Sequence, residues 1–146
     1  NPKSISIDQL EEWSKSGVVN WLGERADIAQ LVTKSHIAVL PSYREGLPKS
    51  LIESAAIGRP IITTNAPGCR EVVKEGENGF LVPARDAKKL AAAIKKLTNN
   101  PKLLITMGKK SRLMAEQEFS IQKVISKTLA LYSKIGSDPK RDKRAD

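Results

Sequence analysis

Cysteine is nearly missing from this sequence. Cys69 stands alone, so no internal disulfide can staple the chain, and a reducing compartment is the expected setting. Histidine is as scarce: His36 has no cysteine or aspartate at metal-ligand spacing beside it, and it reads as a structural or surface residue. Aromatic residues make up 4 % of the chain, too few to interleave with basic residues as stacking platforms, so no nucleic-acid partner is expected. No apolar run reaches the roughly 18 to 20 residues that span a bilayer. The first seven residues show neither a charged nor an apolar leader segment, which places the expected location in the cytoplasm.

The 146 residues present suffice for one domain with a real core. Their net charge of +9 is unevenly spread. Residues 1–83 carry 9 lysines and arginines against 10 acids, whereas residues 84–146 carry 16 against 6. The basic excess therefore belongs to the C-terminal half. Lysines on solvated helix faces account for it most simply, and a peripheral contact with an anionic membrane surface is the second reading.

Short apolar runs alternate with helical periodicity through the first half. The pattern predicts a helix over 8–15 capped by Asp8 and stopped by Gly17, a strand over 18–22, a helix over 27–34 and a strand over 37–40. Pro48 then starts a helix carrying Leu51, Ile52, Ala55 and Ala56, and strands follow over 61–64 and 79–82. Four nearly all-apolar strands separated by helices mean a parallel sheet covered on both faces, a Rossmann-like doubly wound α/β layer. From Asp86 onward the pattern is helical: Asp86, Asn100 and Ser120 cap three helices expected to pack on the sheet. Residues 1–136 form the expected domain, and the charged stretch 137–146 is expected to be disordered.

The informative stretch runs Leu40-Pro-Ser-Tyr-Arg-Glu-Gly-Leu-Pro-Lys-Ser-Leu-Ile-Glu53. It reads as a strand, a turn and a helix whose N-terminus points back toward the strand's carboxyl end. That is where open α/β sheets bind ligands, and free amides with the positive end of the helix dipole suit a diphosphate. Gly46 allows close backbone approach, and Pro48 sets the backbone so that Leu47, Lys49 and Ser50 can aim their N–H groups. Glu45 and Glu53, about two helical turns apart, are fitted to accept hydrogen bonds from paired hydroxyls.

With Gly58-x-Pro60, Pro67-Gly68-Cys69-Arg70-Glu71 and Asn78-Gly79-Phe80-Leu81-Val82, this stretch resembles glycosyltransferase family 4, the group 1 glycosyltransferases. The variant Pro-Gly-Cys-Arg-Glu resembles the capsule, O-antigen and glycoprotein-glycan branch. The resemblance implies the C-terminal, donor-binding domain of a GT-B enzyme that transfers a sugar with retention and without a metal or cofactor. It implies a nucleotide-diphosphate-sugar donor, UDP-sugar by expectation, and a glycan or lipid-linked acceptor. Glu45 then matches the catalytic glutamate that contacts donor-sugar hydroxyls, and Glu53 the one that binds ribose. Gly46, Leu47, Lys49 and Ser50 match the positions meeting sugar and diphosphate, and Arg25, in the loop Gly23-Glu24-Arg25, is the candidate for packing on the base.

The family's N-terminal acceptor domain and its diphosphate-neutralising Lys or Arg have no counterpart in these residues. The chain alone is therefore expected to bind donor weakly and transfer little, because a leaving diphosphate gains charge and needs preorganised cations. Lys49 and Arg44 are the cations nearest the turn. Two rivals stay open: a truncated or split chain that binds nucleotide-sugar or a partner without transferring, and a basic membrane-surface or nucleic-acid module. Cys69 reads as a small buried or half-buried thiol, Arg70 and Glu71 as cleft lining, an ion pair or a helix start, and Trp13 and Trp21 as core.

Overall fold

The structure is a computed structural model that describes residues 5–136. Three strands form one parallel sheet in sequential order among these residues: β1 (Ala38–Leu40), β2 (Ile61–Thr64) and β3 (Gly79–Val82). Ala38 pairs with Ile61 and Leu40 with Thr63, while Ile61 pairs with Gly79 and Thr64 with Val82. Six helices accompany them: α1 (Ile7–Lys15), α2 (Ile28–Lys34), α3 (Lys49–Ala56), α4 (Ala87–Thr98), α5 (Pro101–Glu118) and α6 (Ile121–Gly136).

Strand alternation divides the core in two. Ile61 packs with Leu51 and Ala55 of α3, with Val72 and Val73, and with Ala115 of α5. Ile62, one residue on and so on the opposite face, packs with Phe80 and Val82, with Leu97 of α4 and with Met107 of α5. Helices thus cover both faces of the sheet, as its apolar strands require. All of β2 is buried, including Thr63 and Thr64. Helix α5 contributes to both clusters and passes the turn after α3 at very short range: a Cβ on Gly108 would collide with the carbonyl oxygen of Gly58.

The connection from β2 to β3 contains no regular helix and is tied down by one side chain. Asn78, 1 % exposed, accepts from the Lys74 amide at 2.7 Å and donates to the Val72 carbonyl at 3.0 Å. Ser111 of α5 donates to the Asn78 carbonyl at 3.0 Å, which fixes the loop to the helix behind it. Asn78 is therefore a structural residue, and Gly79 beside it begins β3 where the backbone of Ile61 passes too close for any side chain.

Four expectations differ from what is observed. Residues 18–22 form no strand: Val18 is 84 % exposed, and Leu22 faces β1 across a groove of about 430 Å³ instead of pairing with it. A strand needs a hydrogen-bonding neighbour, and among the described residues only β2 pairs with β1, so residues 18–22 have no ladder of their own. Trp13 and Trp21, 42 % and 41 % exposed, are likewise outside the core, because the segments that carry them sit beyond that groove. The cap of α1 is Ser6, whose Oγ accepts from the Gln9 amide, with Asp8 in the first turn at the positive end of the dipole. Helix α6 does not pack on the sheet; Ile121, Val124, Leu129 and Tyr132 are all more than half exposed. The remaining caps fall where expected, with Asp86 accepting from Lys89 and Asn100 from Leu103. The stretch 137–146 lies outside the described residues.

Candidate functional site

At the carboxyl end of β1 the chain turns through residues 41–48 into α3. Two threonines at the end of β2 hold the start of this turn. Thr63 Oγ1 donates to the Leu40 carbonyl at 2.7 Å, and Thr64 Oγ1 donates to the carbonyl of Ser42. Ser42 in turn donates its hydroxyl to Glu45 Oε1 at 2.6 Å, so the carboxylate is aimed by a chain of buried and half-buried hydroxyls rooted in the central strand. The second brace is the loop after β2. The Glu45 amide donates to the Pro67 carbonyl at 3.1 Å, and Gly68 lies directly beneath at φ +84°, where a Cβ would collide with the carbonyls of Glu45 and Gly46. Only glycine satisfies both the left-handed backbone and that approach.

The turn so held leaves amides unpaired. Leu51 and Ile52 direct their N–H groups to the Pro48 carbonyl, while those of Gly46, Leu47, Lys49 and Ser50 make no backbone hydrogen bond among the described residues. Pro48 is buried and sits at the N-cap of α3 in extended conformation. The N-terminus of α3 therefore presents free donors and its dipole at the rim of the sheet, an arrangement suited to an anion. Glu45, Gly46, Leu47, Lys49 and Ser50 are thus brought together on one turn.

Glu53 lies on the exposed face of α3, one turn in from its start, with no side-chain partner among the described residues. Because α3 begins at Lys49, helical phase relates Glu53 only to the residues after Pro48; the Glu45 carboxylate is placed by Ser42 instead. Arg25 lies apart from the turn, in the loop before α2. Its Nε and Nη2 donate to the two carboxylate oxygens of Asp27, each at 2.6 Å. This pairing raises the guanidinium above its ordinary pKa and holds the Asp27 carboxyl below its own. A guanidinium held through both donors of one edge keeps its flat faces available for stacking. Leu22 and Ser50 line the same groove, so the loop carrying Arg25 neighbours the start of α3.

Lys49 and Arg44 are exposed, and neither forms an ion pair among the described residues. Cys69 is buried, and Arg70 pairs with Glu71 at 3.6 Å on the surface. Sequence reasoning assigned no role to Ser42, Thr63, Thr64 or Gly68, although hydroxyls at two strand ends and a glycine opposite the turn are the signals that mark them.

A parallel sheet with helices on both faces, and a turn with free amides at its carboxyl rim, are the α/β layer of the GT-B glycosyltransferase fold. The family profile of glycosyl transferases group 1 matches residues 6–114, and the chain belongs to that family. It is 33 % identical over 135 residues to the Campylobacter jejuni N,N'-diacetylbacillosaminyl-diphospho-undecaprenol alpha-1,3-N-acetylgalactosaminyltransferase, covering 92 % of this chain and 35 % of that protein. It is 34 % identical over 111 residues to the Escherichia coli UDP-Gal:alpha-D-GlcNAc-diphosphoundecaprenol alpha-1,3-galactosyltransferase, covering 76 % of this chain and 28 % of that one. Its fold matches the crystal structure of Anabaena HepE in complex with UDP, with a TM-score of 0.78 and 25 % identity over 87 % of this chain and 37 % of that one. The chain spans about a third of the length of the curated relatives it matches.

Proposed function

We propose that this chain is the donor-binding part of a retaining glycosyltransferase, holding a nucleotide-diphosphate-sugar with UDP as its nucleotide. The observation that carries the reading is the braced turn, whose amides at Gly46, Leu47, Lys49 and Ser50 are free at the carboxyl rim of the sheet. They would hold the diphosphate, with Glu53 accepting from the ribose hydroxyls and a face of Arg25 against the base. Glu45, aimed by Ser42, would accept from hydroxyls of the donor sugar and so orient its anomeric carbon. Retention then needs no protein nucleophile: the departing phosphate oxygen takes the proton of the acceptor hydroxyl as the new glycosidic bond forms on the same face. The reading requires no metal: donors on the helix terminus meet part of the developing charge, and Lys49 and Arg44 are the cations nearest the turn.

The acceptor would be a glycan or a lipid-linked sugar, as the names of the Campylobacter and Escherichia relatives suggest. A cytoplasmic site with peripheral contact to an anionic membrane accords with such an acceptor and with the basic C-terminal half. Donor binding by this chain alone would be weak and transfer slight, because the matched family members are about three times longer. Isothermal calorimetry with UDP tests the donor assignment: binding is expected, and Glu53→Ala should abolish it. Equal affinity in the variant would remove Glu53 from the site.

A further inference from the structure

The side of the molecule away from the turn carries a groove of about 550 Å³. One wall is formed by residues 104–113 of α5, and the other by Gly58 and Arg59, which join α3 to β2. The groove thus lies where the chain enters β2, whereas the threonines that brace the candidate site stand at that strand's far end. An occupant there leaves the free amides of α3 accessible.

The lining follows one face of a helix. Leu104, Ile105, Gly108, Lys109, Arg112 and Leu113 recur at alternating steps of one and three residues. Ile105 and Leu113, 57 % and 52 % exposed, are uncovered apolar side chains, and no carboxylate lines the groove. Its charge is of one sign, with Arg59 on one wall and Lys109 and Arg112 on the other. Two of these cations also tie helix ends together. Arg59 Nη2 donates to the Thr33 carbonyl of α2 at 2.6 Å. Arg112 Nη1 donates to the Ala56 carbonyl at the end of α3, and its Nε donates to Glu116 at 2.6 Å. Those bonds leave two groups unaccounted for. Lys109 forms no ion pair among the described residues. Arg59 Nε is buried without an acceptor, the single side-chain atom in that state among the described residues. A buried donor left unmet is costly, and an acceptor brought into the groove would offset that cost.

We propose that this groove docks an acidic amphipathic helix of a partner protein. Apolar side chains at helical spacing on the partner lie along α5 against Ile105 and Leu113, in the manner of one helix packed into the groove of another. Carboxylates on its flanks meet Arg59, Lys109 and Arg112, which fixes its register and excludes basic helices. The concave form favours this occupant over a lipid surface, because a bilayer meets side chains that project and a groove with cations on both walls receives a rod.

Chemical-shift titration of the ¹⁵N-labelled chain tests the proposal. The probe is a peptide of about 15 residues, long enough to populate a helix, with leucines along one face and glutamates beside them. A control peptide carries lysines in place of the glutamates. Only the acidic peptide is expected to bind, moving the amides of Ile105, Lys109 and Leu113 while those of Gly46 and Ser50 stay in place. Lys109→Glu and Ile105→Glu alter exposed side chains and should not lower the melting temperature. Each should weaken the acidic peptide by about tenfold or more, and Lys109→Glu should shift the preference toward the lysine peptide. Equal binding of the two peptides, no movement in α5, or affinity unchanged in both variants would overturn the proposal. Binding to phosphatidylglycerol vesicles that both variants abolish would also overturn it, by making this face a membrane surface. So would self-association that both variants abolish, by making the occupant a second copy of the chain.

Discussion

Single residues hold the site, and most of them touch no ligand in the proposed reading. Gly68 is the clearest, because its left-handed backbone and its contact with the Glu45 carbonyl leave no room for a Cβ. Gly68→Ala should cost about 2–4 kcal/mol by combining backbone strain with forced displacement of the turn. Denaturant unfolding measures the cost, and UDP affinity should fall with it, whereas an unchanged midpoint would mean the turn rests on other supports. Asp27 offers a test of a different kind. Its pairing with Arg25 depresses its folded-state pKa, so the pair's contribution is present at neutral pH and is lost as pH falls through that depressed value. Carboxyl carbon chemical shifts across an acid titration should place the Asp27 midpoint below those of exposed aspartates. Asp27→Asn should lower the Arg25 pKa and release its guanidinium from a fixed plane.

Among the elements, β2 carries the most consequence, since it is buried throughout and supplies the two hydroxyls that organise the turn. Thr64→Val keeps the shape but leaves the Ser42 carbonyl without its donor, at a cost of about 1–2 kcal/mol. The expected signature is a small drop in stability with a larger drop in UDP affinity; a purely structural role for Thr64 would give the first without the second. This element also shows what could be read in advance. Apolar runs over 37–40, 61–64 and 79–82, the first two separated by a helix, announced a parallel layer, and caps at Asp86 and Asn100 set the later helices. Residues 18–22 have the same local pattern as those strands, but a strand exists only with a neighbour, and neighbours are not a local property. The same holds for the turn. Its amides followed from Gly46 and Pro48, while the Ser42, Thr64 and Gly68 braces depend on which segments meet in space. Helix α6 was legible as a helix, and its exposed face was not, because periodicity shows an apolar stripe without showing what covers it.

At the scale of the whole molecule, β1 is the edge strand among the described residues. β1 is three residues long, Val39 is 41 % exposed, and the groove beside it is walled by Leu22, Leu31 and Leu40. An edge strand with apolar surroundings invites pairing with another chain. Sedimentation velocity should show association rising with concentration, and Val39→Lys should suppress it; a monomer at every concentration would show the edge is closed by other means. The central claim is narrower. It holds that the turn between β1 and α3 offers its free amides to the diphosphate of a nucleotide. Titration of the ¹⁵N-labelled chain with UDP reads those amides one by one. The account predicts that Gly46, Leu47, Lys49 and Ser50 move furthest and saturate together. If UDP binds and they stay still while other amides shift, or if UDP shifts nothing, the account is contradicted.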